Sequence, residues 1–325
     1  MGTPKFKASG WTAKDIPNQS GRVAIVTGAN SGLGYFTALD LARSGAAVTL
    51  AVRALAKGEK AKAEMLALAP GAALTVMELD VSSLASVTKF AADWQKANPG
   101  GLDLLINNAG VMAIPRRTTV DGFEMQFGTN HLGHFALTGQ LLPALAKRPG
   151  SRVVNVSSTA HRAGTMDWDD LMGEKSYSPW RRYGQSKLAN LLFTSELNAR
   201  FEDAGLAIKA MAAHPGYAAT NLASVAPDMK GTRAEGLERR LMDWGARTIA
   251  QPAEWGALPT LFAATVVDLP GNSFIGPDGF AAQTGYPHVA KRNKKAQSVE
   301  DARRLWSVSE TLTGVTYDFG AAGRK

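Results

Sequence analysis

One stretch near the start of the chain constrains its fold more than any other. The apolar run Val23-Ala24-Ile25-Val26 leads into Thr27-Gly28-Ala29-Asn30-Ser31-Gly32-Leu33-Gly34, and a helical pattern from Tyr35 to Ser44 follows, with Gly45 as its stop. This reads as strand, glycine turn and helix. Glycines at 28, 32 and 34 permit a tight turn and the close approach of another backbone or a ligand. The leading amides of the helix carry partial positive charge, so a pyrophosphate can lie along Gly28, Asn30, Ser31, Gly32, Leu33 and Gly34. A glycine cluster alone is only a turn in most sequences, but this one has the strand-to-helix setting that dinucleotide binding requires.

The same alternation continues. Strands are expected at Ala46 to Val52, Leu74 to Leu79, Leu102 to Ile106, Arg152 to Val156 and Ala207 to Ala213, with Ser273-Phe274-Ile275-Gly276 as the last strand. Helices are expected between them, among them Glu124 to Ala146 and Trp180 to Phe201, and a terminal helix from Ser298 to Leu312. Such alternation implies an α/β fold, a doubly wound parallel sheet flanked by helices, with its ligand at the carboxyl ends of the strands. At 325 residues and 45% hydrophobic, the chain can bury its core as a single domain. Residues 1–20 read as an N-terminal extension and 281–325 as a C-terminal one. The segment 217–250 reads as a substrate lid, or equally as a helix whose stripe Leu237, Leu241, Met242 and Trp244 packs on its own core.

The strand ends carry the candidate ligand contacts. The second strand ends in Val52 and Arg53, where NAD-binding proteins place an acid for the ribose hydroxyls. The ribose is therefore expected to carry a phosphate, gripped by the fork of Arg53, and the cofactor is expected to be NADP(H). Lys57 is a second cation for that phosphate or a surface charge. Asp80 and Val81 follow the third strand; Asp80 faces the adenine or only caps, and Ser82 and Ser83 are plausible caps for the next helix. Small residues in Asn108-Ala109-Gly110 let the backbone approach the cofactor. After the sixth strand come His214, read as structural, then Pro215 and Gly216, with Thr220 within reach of the nicotinamide amide or the pyrophosphate.

The candidate chemistry lies in Tyr183-Gly184-Gln185-Ser186-Lys187, 25 residues after Ser158. On a helix, residues four apart share a face. A phenol titrates near ~10 in water, and a neighbouring ammonium such as Lys187 lowers that value. The spacing alone is common on amphipathic helices. Between Ser158 and Tyr183, an irregular segment with Trp168, Asp169, Asp170 and Trp180 is expected to wall one side of the site. Upstream, Asn130-His131-Leu132-Gly133-His134 places two histidines three apart. No carboxylate completes a ligand set and the His-Glu-x-x-His pattern is absent, so no metal is expected and both are read as packing or surface histidines.

The net charge of +8 and pI near 9.6 raise the question of a nucleic-acid partner. The basic residues argue against one, since they fall in scattered pairs such as Arg116-Arg117, Arg181-Arg182 and Arg239-Arg240, read mostly as solvated surface. The chain has no cysteine, and residues 1–20 hold no apolar run of signal-peptide length. A soluble, cytoplasmic protein without a membrane span is expected, with a small molecule rather than nucleic acid as its partner. Assembly into a homo-oligomer is open.

Together, Thr27-Gly28-x-x-x-Gly32-x-Gly34, Asn108-Ala109-Gly110, Asn130, Ser158, Tyr183-x-x-x-Lys187 and Pro215-Gly216 stand in the order found in the short-chain dehydrogenases/reductases, which this chain resembles over roughly residues 20 to 280. The wide gap between Ser158 and Tyr183, the Asn-His-Leu-Gly-His-Phe helix, Ser186-Lys187-Leu188-Ala189-Asn190 and the tail Leu305-Trp306-Ser307-Val308-Ser309-Glu310 are similar to the retinol dehydrogenase-like group. That group borders light-dependent protochlorophyllide reductase, from which this chain departs in lacking cysteine and in carrying Asn107-Asn108-Ala109-Gly110. The resemblance implies a Rossmann-type sheet and reversible NADPH-dependent reduction of a carbonyl. It implies Tyr183 as general acid/base, Ser158 holding the substrate oxygen, Lys187 lowering the Tyr183 pKa and holding the nicotinamide ribose, and Asn130 holding a water linked to Lys187. The competing readings are an NADPH-binding sensor without turnover and a double-bond reductase of the protochlorophyllide type.

Overall fold

The computed structural model describes residues 10–219 and 251–323. Strands written as unbroken apolar blocks need cover on both faces, and this chain supplies it. Its sheet has eight strands, β1 (Val23–Thr27), β2 (Ala47–Val52), β3 (Leu74–Glu78), β4 (Leu104–Asn107), β5 (Ser151–Val156), β6 (Ile208–Ala213), β9 (Phe274–Pro277) and β10 (Pro287–Val289), in the order β10-β9-β6-β5-β4-β1-β2-β3. All pairings are parallel except β10 with β9. A separate parallel pair joins β7 (Ala218–Ala219) to β8 (Gln251–Pro252).

Alternation along β1 builds two cores at once. Ala24 and Val26 point into a layer with Leu39 and Leu41 of α1 (Gly32–Arg43), Met65 of α2 (Leu55–Leu68), and Leu258 and Phe262 of α7 (Ala253–Thr265). Ile25 points the other way, into Phe90 and Trp94 of α3 (Leu84–Ala97), Phe135 and Leu141 of α5 (Gly133–Ala146), and Phe193 and Leu197 of α6 (Pro179–Asp203). The winding reverses between β1 and β4. Their carboxyl ends therefore flank a crevice, the topological switch point.

Three features depart from the sequence reading. Strand β9 is not the last, because β10 adds an antiparallel edge held by the turn between them. The helix expected from Glu124 to Ala146 runs continuously but is not uniform, with α4 (Met125–Phe127) joined to α5 by a π-helical turn at Gly128–Leu132. The terminal helix α8 (Val299–Thr313) is followed by α9 (Phe319–Gly323), and the tail is sewn onto α5. Tyr317 donates to the Phe135 carbonyl at 2.6 Å, and a β-carbon on Gly139 would lie 2.6 Å from the Tyr317 ring. Among the described residues, no helix is long and apolar enough to cross a membrane.

Candidate active site

The glycine turn and the end of β4 are stitched to each other. Thr27 Oγ1 accepts the backbone N–H groups of Asn108 and Ala109, both at 2.9 Å, while Asn108 Nδ2 donates to the Thr27 carbonyl at 2.7 Å. Gly28 and Gly32 adopt φ of +68° and +56°, the left-handed region that favours glycine. A β-carbon on Gly28 would meet the Ala109 Cα at 3.1 Å. Ser31 gives α1 no side-chain cap, so its leading amides look into the crevice beside Asn30 and Leu33. A turn of this kind could hold a pyrophosphate against the helix start. On the other side of the turn, a β-carbon on Gly110 would lie 2.9 Å from Asn130 Oδ1 and 3.6 Å from Lys187 Nζ.

Arg53 and Lys57 both lie exposed after β2, and among the described residues neither has an ion-pair partner. Asp80 Oδ1 is engaged locally, accepting the N–H of Ser82 at 2.9 Å and its hydroxyl at 2.6 Å; Ser83, not Ser82, caps α3, and Asp121 accepts the Leu84 N–H at 2.9 Å. The Val81 carbonyl lies where a β-carbon on Gly133 would come within 1.9 Å, so the end of β3 is seated directly on α5. Pro215 and Gly216 follow β6. Gln251 donates to the Pro215 carbonyl at 3.0 Å, and Gly216, at φ +67°, leaves room for the Gln283 carbonyl. Thr220 and the rest of the expected lid, 220–250, lie outside the described residues.

Helix α6 begins at Pro179, whose missing N–H is not needed at that position, and delivers Tyr183 and Lys187 into the interior. Lys187 Nζ lies 5.7 Å from the centre of the Tyr183 ring and donates to the Val156 carbonyl at 3.0 Å. Ser157 holds the helix from the strand side, donating to the Lys187 carbonyl at 2.8 Å. Ser158 accepts the Ala160 N–H at 3.2 Å, which leaves its own O–H to donate elsewhere. Asn130 sits inside the π-helical turn. Its Nδ2 donates to Ser186 Oγ and the Val111 carbonyl, both at 2.9 Å, and its Oδ1 accepts the Val111 N–H at 2.8 Å. Both amide hydrogens are thus engaged in bracing α6 against the β4 turn.

Burial, rather than the neighbouring ammonium, sets the charge states. It pushes the Tyr183 phenol up to about 12, with hydrogen bonding to Ser158 acting in the opposite sense, and pulls the Lys187 ammonium down to about 8. The expected lowering of the phenol by Lys187 is therefore outweighed, and Tyr183 is held protonated at neutral pH.

A family model described as short chain dehydrogenase matches residues 22–231. The chain belongs to the short-chain dehydrogenases. It is 40% identical over 320 residues to retinol dehydrogenase 11 of Mus musculus, covering 98% of this chain and 95% of that one. It is 39% identical over 305 residues to polyprenol dehydrogenase of Mus musculus, covering 92% and 86%. Among solved structures, a crystal structure of an uncharacterized protein from Mycobacterium Paratuberculosis matches with a TM-score of 0.78 and 45% identity, covering 95% of this chain and all of that one.

Within this short-chain dehydrogenase, the segment between Ser158 and Tyr183 divides in two. Trp168 is no wall of the site: its indole N–H donates to Asp301 at 3.0 Å and Arg304 stacks on its ring, tying it to α8. Trp180 is 62% exposed with its ring 6.1 Å edge-on from Tyr183, and stays at the mouth. Arg182, in one of the basic pairs read mostly as solvated surface, is fully buried beside Tyr183. It donates to the Asp170 carboxylate at 2.7 Å and the Ser176 carbonyl at 2.8 Å. Gln126 carries no sequence signal of its role either. It accepts the Ala113 N–H at 2.8 Å and donates to Tyr177 Oη and the Pro179 carbonyl, each at 3.0 Å, which joins the loop after β4 to the start of α6. His131 packs among Phe127, Phe135 and Phe193, its Nε2 2.8 Å from Ser309 Oγ. His134 is not packing alone, since it reaches Thr27. His214 is buried against the Phe274 ring, as a structural residue would be.

Proposed function

We propose that this short-chain dehydrogenase interconverts a carbonyl and an alcohol with NADP(H), on an apolar substrate, in the cytoplasm. The observation that carries the proposal is that Tyr183, Lys187 and Ser158 meet at the end of β5, with only the end of β4, Ala109 against Gly28 and Gly110 against Lys187, between them and the glycine turn after β1. A bound nicotinamide dinucleotide would supply or accept the hydride. Gly28 to Gly34 would hold its pyrophosphate, and Asn108, Ala109 and Gly110 would line its far side. Tyr183, kept protonated by burial, is in the form needed to donate a proton to a carbonyl oxygen. The Ser158 hydroxyl donates to the same oxygen and fixes its position. Lys187 places its charge beside the phenol, where it favours the phenolate left after the transfer.

The phosphate of NADP(H) is supported by Arg53, an exposed guanidinium at the strand end where a ribose-binding acid would otherwise stand. The apolar substrate is supported by relatives whose names, retinol and polyprenol dehydrogenase, denote isoprenoid alcohols, and by exposed Trp180 at the mouth. The chain's lack of cysteine fits a reducing compartment. The test is NADPH consumption, followed by absorbance, across a panel of apolar aldehydes and ketones that includes isoprenoid aldehydes. Saturable turnover is expected. NADPH binding with no turnover on any of them would replace this reading by a cofactor sensor.

A further inference from the structure

The phosphate-binding turn and the buried brace at Asn130 are joined by one side chain to which neither role assigns a function. His134 lies on the first turn of α5, 2% exposed, with Nε2 3.0 Å from Thr27 Oγ1 and Nδ1 3.2 Å from the Asn130 carbonyl oxygen. These two contacts admit a single arrangement of hydrogens. A carbonyl only accepts, so Nδ1 must carry the proton. A threonine hydroxyl has two lone pairs and one hydrogen, and both lone pairs of Thr27 already receive the N–H groups of Asn108 and Ala109. The one hydrogen of the hydroxyl has two acceptors within reach, the Ile106 carbonyl at 3.3 Å and His134 Nε2 at 3.0 Å; with no lone pair left the hydroxyl cannot accept from the ring, so the nearer contact is made with Nε2 bare. The imidazole is neutral, with its proton on Nδ1. An imidazolium would aim an N–H at a hydroxyl with no lone pair left to offer.

We infer that His134 is a positioning residue, one that transmits the geometry of the Thr27 glycine turn to the Asn130 carbonyl and so sets the cofactor turn and the proton-transfer end of the site together. Thr27 is the residue that stitches β1 to the β4 turn, and Asn130 braces Ser186, next to Lys187 on α6. His134 stands between them, entirely within buried structure. The coupling rests on the reading of the turn as a dinucleotide site.

Two isosteres separate its arms. In His134→Asn the side-chain amide can still donate near the Nδ1 position, but nothing reaches Thr27; in His134→Gln the amide oxygen can replace Nε2 toward Thr27, but the donor to Asn130 is lost. NADPH dissociation constants by fluorescence titration and kcat are measured for wild type and both variants. Losing one buried hydrogen bond is worth about tenfold. The expectation is an NADPH dissociation constant raised by about that factor in His134→Asn with kcat little changed, and the reverse split in His134→Gln. Equal effects of the two variants on both quantities, or none on either, would overturn the coupling. A wild-type chain that binds no NADPH would overturn the reading of the turn, and the coupling with it. Independently of any variant, 15N NMR of histidine-labelled wild type should show a neutral ring protonated on Nδ1, and protonation on Nε2 would also overturn the inference.

Discussion

A β-carbon on Gly34 would fall 2.5 Å from the Asn108 side-chain nitrogen and equally close to the Gly28 carbonyl oxygen. Neither neighbour can yield cheaply, because Asn108 Nδ2 is tied to the Thr27 carbonyl at 2.7 Å and Gly28 is backbone held at φ +68°. Gly34→Ala should therefore push the β4 turn away from the glycine turn. Overpacking of this kind costs about 1–3 kcal/mol. The expected result is a lower melting temperature together with an NADPH affinity reduced by roughly 5- to 150-fold, the same range expressed as a ratio. Unchanged binding by titration would show that the two turns do not form one site.

Tyr183 is packed as a hydrophobic ring as well as placed as an acid. Tyr183→Phe keeps the ring beside Trp180 and removes only the hydroxyl, so the melting temperature and NADPH binding should hold. Carbonyl reduction should fall by roughly 100- to 10,000-fold, the usual worth of a positioned acid. Because burial holds the phenol up at about 12, reduction by wild type should be flat through neutral pH, while alcohol oxidation, which needs the phenolate, should rise with pH and bend near about 8, where Lys187 loses the charge that favours the phenolate. Retained turnover in the variant would remove Tyr183 from the mechanism.

Arg53 is exposed, and among the described residues it has no ion-pair partner, so its removal breaks no ion pair there. Arg53→Ala should leave stability and NADH kinetics unchanged. The KM for NADPH should rise by roughly 10- to 100-fold, the scale of a lost charge-assisted phosphate contact. Steady-state kinetics with both cofactors decides the matter: an unaltered preference for NADPH would refute a phosphate role for Arg53.

The features legible in the sequence are those that local rules dictate. The glycine turn could be read because φ near +60° and close backbone contact demand glycine at fixed positions, and the sheet because its strands are short apolar blocks between helices. Arg182 could not, since nothing in Arg181-Arg182 distinguishes a solvated guanidinium from one that a folded loop surrounds with Asp170 and Ser176. The π-helical turn at Gly128–Leu132 left no mark either, because its register is set by partners distant in sequence, Val111 and Ser186 on Asn130 and Val81 against Gly133. The role of the Tyr183 environment was misjudged for a related reason. Spacing shows that an ammonium is near but not how deeply both groups are buried, and burial is the larger effect.

Four buried histidines, His131, His134, His214 and His161, make stability depend on pH in one direction, burial lowering all four. Burial lowers His131 to about 3, His134 to about 4 and His214 to about 3, against about 6.5 for an unfolded chain. Above pH 6.5 the rings are neutral in both states and cost nothing. Below it the unfolded chain takes up protons that the folded chain refuses, so stability falls with pH until the folded values are reached. Each histidine contributes up to roughly 1.4 kcal/mol per pH unit in that window. Glu124 and Asp40 act oppositely, because burial raises both carboxyls and acid relieves them, so the total slope mixes signs. A difference measurement separates them. His131→Phe places an apolar ring among Phe127, Phe135 and Phe193, and its melting temperature should decline less steeply than that of wild type between pH 6.5 and 4. Parallel curves for the two proteins would mean that His131 is protonated as readily in the folded chain as in the unfolded one.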